Sequence, residues 1–343
     1  MSRLTAIYEV EISRGLRVKR AESEELNYQT RTGDFDVNVV LLCNGGGSFK
    51  AKNDQHETRL IKKIHLRVMR DEESEPPPFL VNEAGGRDIS ERREWFDGRR
   101  DEYKRAALKI LNRLIRFFKF RMKSPNLHEF IGHEECFKNP KWEDENGGSL
   151  YSGILELTVV MISLPGSRLL SERDFTAEDD LNLKECLAAD IEPETFEEFL
   201  SDAQTSILSG KWRRAILEMA IACEVAVKQL FFGEGTIAPS VFEYMEDKRR
   251  LRVKVIELLD GAAKHTFGES FKDANLTAFQ DIDLLFRCRN KVAHKGELTY
   301  RHDSGIQDSV NQETLERWWA STEELIVWIS NAKTAVQGEP EAE

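Results

Sequence analysis

Two side chains near the end of the chain, Arg289 and His294, stand five residues apart, and an amide, Asn290, follows directly on the arginine. A guanidinium keeps its charge at any physiological pH and offers a planar fork of N–H donors suited to carboxylate or phosphate oxygens. An imidazole takes up and releases a proton near neutrality. The segment around them, ANLTAFQDIDLLFRCRNKVAH over 274–294, is helical in pattern. At about 100° per residue, Ala278, Phe279, Ile282, Leu285, Phe286, Val292 and Ala293 share one broad stripe, with Arg289 near its middle. An arginine cannot shed its charge there, and burying it unpaired is costly. Arg289 must therefore meet a carboxylate, face a water-filled groove or bind an anion. Arg287, Asn290 and His294 lie together on the flank of the stripe. Asn290 and His294, four apart, are neighbours if the helix runs that far.

The element that must hold Arg289 in place is legible further upstream. Residues 212–232 are apolar almost all round, and between Ala215 and Val227 the only charges are Glu218 and Glu224. Such a helix belongs at the centre of a bundle. Glu224, set among Leu217, Ile221 and Phe231, is the expected partner that fixes the guanidinium in one orientation. The pattern is helical throughout from Glu194. One helix carries Phe196, Phe199, Leu200, Ala203, Ile207 and Leu208 and ends at Gly210. Others follow at 212–232, at 239–263 with a basic KRRLRVK stretch at 248–254, at 274–294 and at 311–334. Five helices with short connections make a bundle over residues 194–335. Trp318 and Trp319 read as core or interface residues rather than a base-stacking platform.

The segment Arg289-Asn290-Lys291-Val292-Ala293-His294-Lys295-Gly296 resembles the R-x4–6-H signature of HEPN domains, including the polar residue after the arginine. Residues 210–225, GKWRRAILEMAIACEV, resemble the second helix of many such domains. The resemblance covers about 140 residues and does not extend to 1–190. It implies an all-α bundle that forms a homodimer, with the arginine and histidine of two subunits meeting across a groove. It also implies metal-independent endoribonuclease activity on an RNA substrate, without a cofactor, as an effector of prokaryotic defence or a toxin system. On that reading His294 moves a proton, Arg289 stabilises charge on the phosphoryl oxygens, and Asn290 hydrogen-bonds the phosphate or orients His294. Lys291 and Lys295 add attraction for the RNA backbone, and Glu224 supports Arg289. Many members of the family are scaffolds without activity. Two alternatives are therefore a non-catalytic dimerisation or interaction protein, in which Arg289 only bridges Glu224 and His294 caps a helix end, and a nucleotide-binding sensor using Arg289 and Lys295. Where some related toxins carry a tyrosine that a partner enzyme modifies, this chain has Gly296.

The first half reads differently. Residues 6–12, 35–42 and 64–68 alternate with the period of a half-buried sheet, and ILELTVVMISL at 154–164 reads as a central strand returning to it. The expected class is α+β: a mixed, mainly antiparallel β domain with one basic helix over 1–190, followed by the all-α bundle. That helix spans 99–123, with Tyr103, Ala107, Ile110, Leu111, Leu114, Phe117 and Phe118 inward. Its other faces are rich in Lys and Arg. They are either a solvated surface or a strip that contacts RNA or a protein partner through Arg105, Lys109, Arg113 and Arg116. This half is the expected place for a trigger or target to be sensed. Residues 44–48, NGGGS, read as a turn, since the Gly-Lys-Ser/Thr ending of a phosphate loop is missing. Residues 71–78 read as a surface connector, 126–149 as irregular, and 167–193 as a polar, acidic boundary closed by Pro193.

Composition narrows the classes. The chain has 343 residues and a net charge of −12, which argues against a protein that coats nucleic acid. The charge is uneven: residues 1–124 hold 26 Lys+Arg and 20 Asp+Glu, and the rest hold 23 and 41. No apolar run approaches the ~20 residues that span a bilayer, and the N-terminus lacks the pattern of a signal peptide. A cytoplasmic location without membrane contact is expected. Five scattered cysteines without a CxxC pair point to neither a disulfide framework nor a cysteine-rich zinc site. His128, His133 and Cys136 match no common zinc spacing, so no metal is expected.

Overall fold

The computed structural model describes residues 2–19, 25–42, 58–78, 80–81, 87–123, 127, 129–130, 140–152, 158–160, 176–189, 192–233 and 254–337. The chain is α+β and divides into two compact units, 1–192 and 193–343.

In the first unit, β1 (Ser2–Lys19), β2 (Glu25–Thr32), β3 (Phe35–Leu42) and β4 (Thr58–Glu72) make the body of an antiparallel sheet in the order β2-β3-β4-β1. The register sets Tyr8, Leu66, Val39 and Tyr28 in one row across the strands, and Val10, Ile64, Leu41 and Leu26 in the next. All eight are buried, because alternate residues of each strand share one face. A second small pair, β5 (Leu80–Val81) and β6 (Arg87–Asp88), leads into α1 (Ser90–Arg116), which continues as a π-helical turn Phe117–Arg121. This helix starts earlier than the sequence suggests. Every inward residue expected of it, from Tyr103 to Phe118, is buried in the core of the sheet.

Several short elements of this unit escaped the sequence reading. Within 126–149, β7 (Lys141–Glu143) and the start of β8 (Ser149–Ser152) form a hairpin that extends the sheet beside β1, with Trp142 buried. Within 154–164, β9 (Thr158–Val160) does return to the sheet. It pairs in parallel with β1 over Val10–Ile12 and, among the described residues, with no second strand. Within 167–193 lies a helix, α2 (Ala177–Ala188). A capping box starts it: Thr176 Oγ1 accepts from the Asp179 N–H, and the Asp179 carboxylate accepts from the Thr176 N–H. Its Leu183 and Leu187 complete the core, while Leu181 is exposed among polar residues.

The second unit is the expected bundle. It comprises α3 (Thr195–Leu208), α4 (Trp212–Phe232), and α5 (Val255–Glu257, a π-helical turn Leu258–Ala262, and Ala263–Phe267). After these come α6 (Phe271–Ala274), α7 (Leu276–Lys295) and α8 (Gln312–Gln337). The basic stretch 248–253 lies outside the described residues. The sequence placed α4 at the centre, and it packs on α3, α7 and α8. Trp318 and Trp319 of α8 are core residues. Between α7 and α8 stands an unexpected hairpin, β10 (Thr299–Arg301) with β11 (Gln307–Ser309). Tyr300 anchors it, packing edge-on against Trp318 with ring centroids 5.2 Å apart.

Candidate functional site

The site rests on α7 and on the helix beside it. Asn275 caps the start of α7, its Oδ1 accepting from the Ala278 N–H at 3.0 Å. Gly296 ends the helix in the left-handed conformation with φ 68°, a geometry that costs glycine little. Residues 289–295 are therefore helical, and Asn290 and His294 face the same way one turn apart. Helices α4 and α7 run antiparallel. Glu224 of α4 meets Arg289, and eleven residues earlier in α4, Arg213 Nε donates to the Gly296 carbonyl at 2.7 Å.

Arg289 is paired as expected. Its Nη2 donates to Glu224 Oε2 at 3.2 Å, and its Nη1 donates to Asn290 Oδ1 at 3.2 Å. The pair is not sealed, since the arginine side chain is 32% exposed and the glutamate 29%. The second oxygen of Glu224 takes Lys228 Nζ at 3.1 Å, so one carboxylate serves two cations. Asn290 and His294 are exposed, and the His294 ring bonds to no described residue.

The stripe itself is rotated from the one drawn on the sequence. Ala278, Ile282, Leu285 and Val292 are buried, but so are Asp281 and Cys288, while Phe286 is half-exposed and Ala293 exposed. Arg289 thus sits at the margin of the buried face rather than in its middle. The reason is Asp281, whose carboxylate accepts from Arg317 Nε at 2.9 Å and from the Ser321 hydroxyl at 3.1 Å on α8. With its charge matched, this acid can enter the core and turn the helix toward α8.

The supporting lysines part company. Lys295 is exposed in the last turn of α7. Lys291 instead donates to Thr299 Oγ1 at 3.2 Å and to Gln307 Oε1 at 3.1 Å, clamping the β10–β11 hairpin. Arg287, one turn back, does the same through Asp303 and the Arg301 carbonyl, and also pairs with Asp283.

In the first unit the basic face of α1 is not one open strip. Arg113 is buried, with Nη1 donating to the Leu187 carbonyl at 2.8 Å, so its place as a contact for RNA is corrected to that of a pin between α1 and α2. Arg116 pairs with Glu129 at 2.8 Å. Arg105 and Lys109 are exposed.

A feature that sequence reasoning missed lies at the end of β4, inside the stretch read as a connector. Arg70, Glu72, Ser74 and Arg99 line an open cleft of about 680 Å³, together with Asp34, Asp71 and Glu73. Glu72 is buried and accepts hydrogen bonds from Arg70, Arg99 and Tyr103, each at 2.9 Å. Burial alone would raise its pKa. The hydrogen bonds from Arg70, Arg99 and Tyr103 outweigh that and hold it below the ordinary glutamate range. The Tyr103 hydroxyl is pushed well above its usual value, by burial first and then by the adjacent Glu72 carboxylate. The Arg99 guanidinium also lies 3.7 Å over the Trp95 ring. No pattern of spacing announces this group, because Tyr103 lies 31 residues beyond Glu72 and the partners belong to a strand and a helix.

His128, His133 and Cys136, like the glycine loop at 44–48, lie outside the described residues. Among the described residues, no group of three or more His, Cys, Asp or Glu side chains could hold a metal ion. No described helix is long and apolar enough to cross a membrane. No protein-family model, curated protein or solved structure matches the chain.

Proposed function

We propose that the helical unit is a metal-independent endoribonuclease of the HEPN type, acting as a homodimer. The observation that carries this reading is the state of Arg289. Its guanidinium is oriented by Glu224 and Asn290 yet a third exposed, with the exposed imidazole of His294 further along the same helix. The pair holds the guanidinium in one orientation and leaves it a side open to a phosphate.

The reaction follows from these groups. The ribose 2′-hydroxyl attacks the adjacent phosphorus, the bond from phosphorus to the 5′-oxygen breaks, and the products end in a 2′,3′-cyclic phosphate and a 5′-hydroxyl. His294 moves a proton, either from the attacking hydroxyl or to the departing oxygen. Arg289 stabilises the charge that builds on the non-bridging oxygens. Asn290 turns its Oδ1 toward Arg289, which leaves its amide N–H groups as donors for the phosphate. A second copy of the chain brings its own arginine and histidine to the groove. The first unit recognises the trigger or positions the target, and assignment to a defence or toxin system rests on analogy of architecture.

The test uses wild type, Arg289→Ala and His294→Ala with single-stranded RNA in EDTA. Cleavage by wild type alone, leaving cyclic phosphate ends, supports the enzyme. Cleavage undiminished in both variants assigns the activity elsewhere.

A second reading is a non-catalytic interaction protein, favoured by the clamp that Glu224 forms with both Arg289 and Lys228. It expects no cleavage by any form of the protein.

A further inference from the structure

The junction where α4 begins and α7 ends concentrates positive charge in a unit that is acidic as a whole. Residues 193–343 hold 18 Lys+Arg and 26 Asp+Glu. Yet 211–217, KWRRAIL, and 291–296, KVAHKG, contain five Lys or Arg and no acid. The structure brings these two segments together through one bond, from Arg213 Nε to the Gly296 carbonyl.

The cations at this junction are not equivalent. Arg214 spends its charge on Glu218, at 2.6 Å, and on Asp202. Lys291 is turned to the hairpin. Arg213 is exposed and has no acidic partner among the described residues; its one described bond uses Nε on a neutral carbonyl. That carbonyl belongs to the residue two past His294. The bond therefore holds the Nε of a planar guanidinium at the end of α7 and uses neither of its two terminal nitrogens. A guanidinium anchored in this way is pre-organised to take two oxygens of one phosphate.

We propose that Arg213 is a substrate-binding residue of the same site, gripping a phosphate of the RNA backbone next to the one that is cleaved. The proposal rests on the ribonuclease reading and adds a residue from a different helix. Arg289 is held by Glu224 on one flank of α7, and Arg213 is held at its C-terminal end, on the residue two past His294. A polyanion lying across both presents more than one phosphate, so the ligand is a single-stranded RNA rather than a mononucleotide. The site is then charged by contributions from α4 and α7 together.

The experiment measures cleavage and binding on the full chain. Labelled single-stranded RNA is titrated into the His294→Ala protein, with and without Arg213→Ala, Arg213→Lys or Arg214→Ala, across a range of salt concentrations. Steady-state cleavage is measured on the same Arg substitutions in the wild-type background. Arg213→Ala is expected to weaken binding and raise KM about tenfold, while kcat falls no more than about twofold. The slope of log K against log salt should fall by about 0.7, the value for one phosphate contact on a single strand. Arg213→Lys keeps the charge but loses the Nε anchor, and should recover the salt slope while binding only in part. Arg214→Ala should change neither KM nor slope. If Arg213→Ala leaves affinity and slope at wild-type values while His294→Ala abolishes cleavage, the proposal is overturned and the ribonuclease reading stands. If wild type neither cleaves nor binds the RNA, both fall. If Arg213→Ala and Arg213→Lys lose binding equally with an unchanged slope, Arg213 only secures the helix junction, and the proposal is again overturned.

Discussion

Arg289 and Glu224 face each other at 3.2 Å with roughly a third of each side chain in water. A pair so placed contributes about 1 kcal/mol or less to stability, and salt screens it. Its greater effect is on orientation. Glu224→Gln removes the charge that holds the guanidinium but keeps the shape. Its unfolding free energy in urea should change by no more than about 1 kcal/mol, while kcat drops several-fold more than KM rises. His294 is exposed and bonds to no described residue, so His294→Ala should leave the thermal midpoint unchanged and reduce cleavage by about 10² to 10⁴, the usual range for a lost general acid or base. Glu72 gives the clearest pH dependence. Its folded pKa is depressed below an unfolded value of about 4.3. It therefore stabilises fully above that unfolded value, and the contribution is lost as pH falls through the folded one. Stability followed by urea titration should decline below about pH 4.3, and Glu72→Gln should flatten that decline. How much of this was legible depends on the residue. Arg289 stood out because a permanent charge broke an apolar period, and Glu224 because few charges were available to meet it. Glu72 did not, since in DEESEPPP an acid that will be buried looks like its exposed neighbours.

Among the elements, α4 and α7 were readable because each buries a long face, and the 3.6-residue period accumulates over many turns. The rotation of α7 was not, because Asp281 counts as polar until Arg317, 36 residues on, is seen to neutralise it. Helix α2 was missed because it buries little beyond Leu183 and Leu187, although its capping pair, Thr176 with Asp179, was a usable signal. The β10–β11 hairpin has three-residue strands and a polar sequence, and its position is set by Arg287, Lys291 and Tyr300 rather than by any pattern of its own. The link between α7 and α8 makes a direct prediction. Asp281→Ala leaves the buried Ser321 hydroxyl and the Arg317 guanidinium without their acceptor, and should cost about 1–3 kcal/mol in chemical denaturation.

For the whole molecule, the net charge of −12 sets a condition on any dealings with RNA. General attraction is absent, so binding must come from local cations and should weaken steeply with salt. A groove completed by two chains also requires association. Light scattering should give about twice the 39.5 kDa of one chain, and specific activity should fall on dilution below the dimer dissociation constant. The chain divides at Pro193 into two compact units, and there the sequence changes from acidic and polar to helical and amphipathic. The role of the first unit was less legible than its fold. Alternation along a strand tells which face is buried, while clefts are assembled from distant segments, as around Glu72.

The most direct measurement compares two substrates of identical sequence in EDTA, one an RNA and the other the same strand with every 2′-hydroxyl replaced by hydrogen, with product ends identified by mass. The expected result is cleavage of the RNA alone, with each upstream fragment ending in a 2′,3′-cyclic phosphate. Cleavage of both strands, or RNA products that carry a 5′-phosphate, would contradict attack by the neighbouring hydroxyl and with it the role assigned to Arg289 and His294.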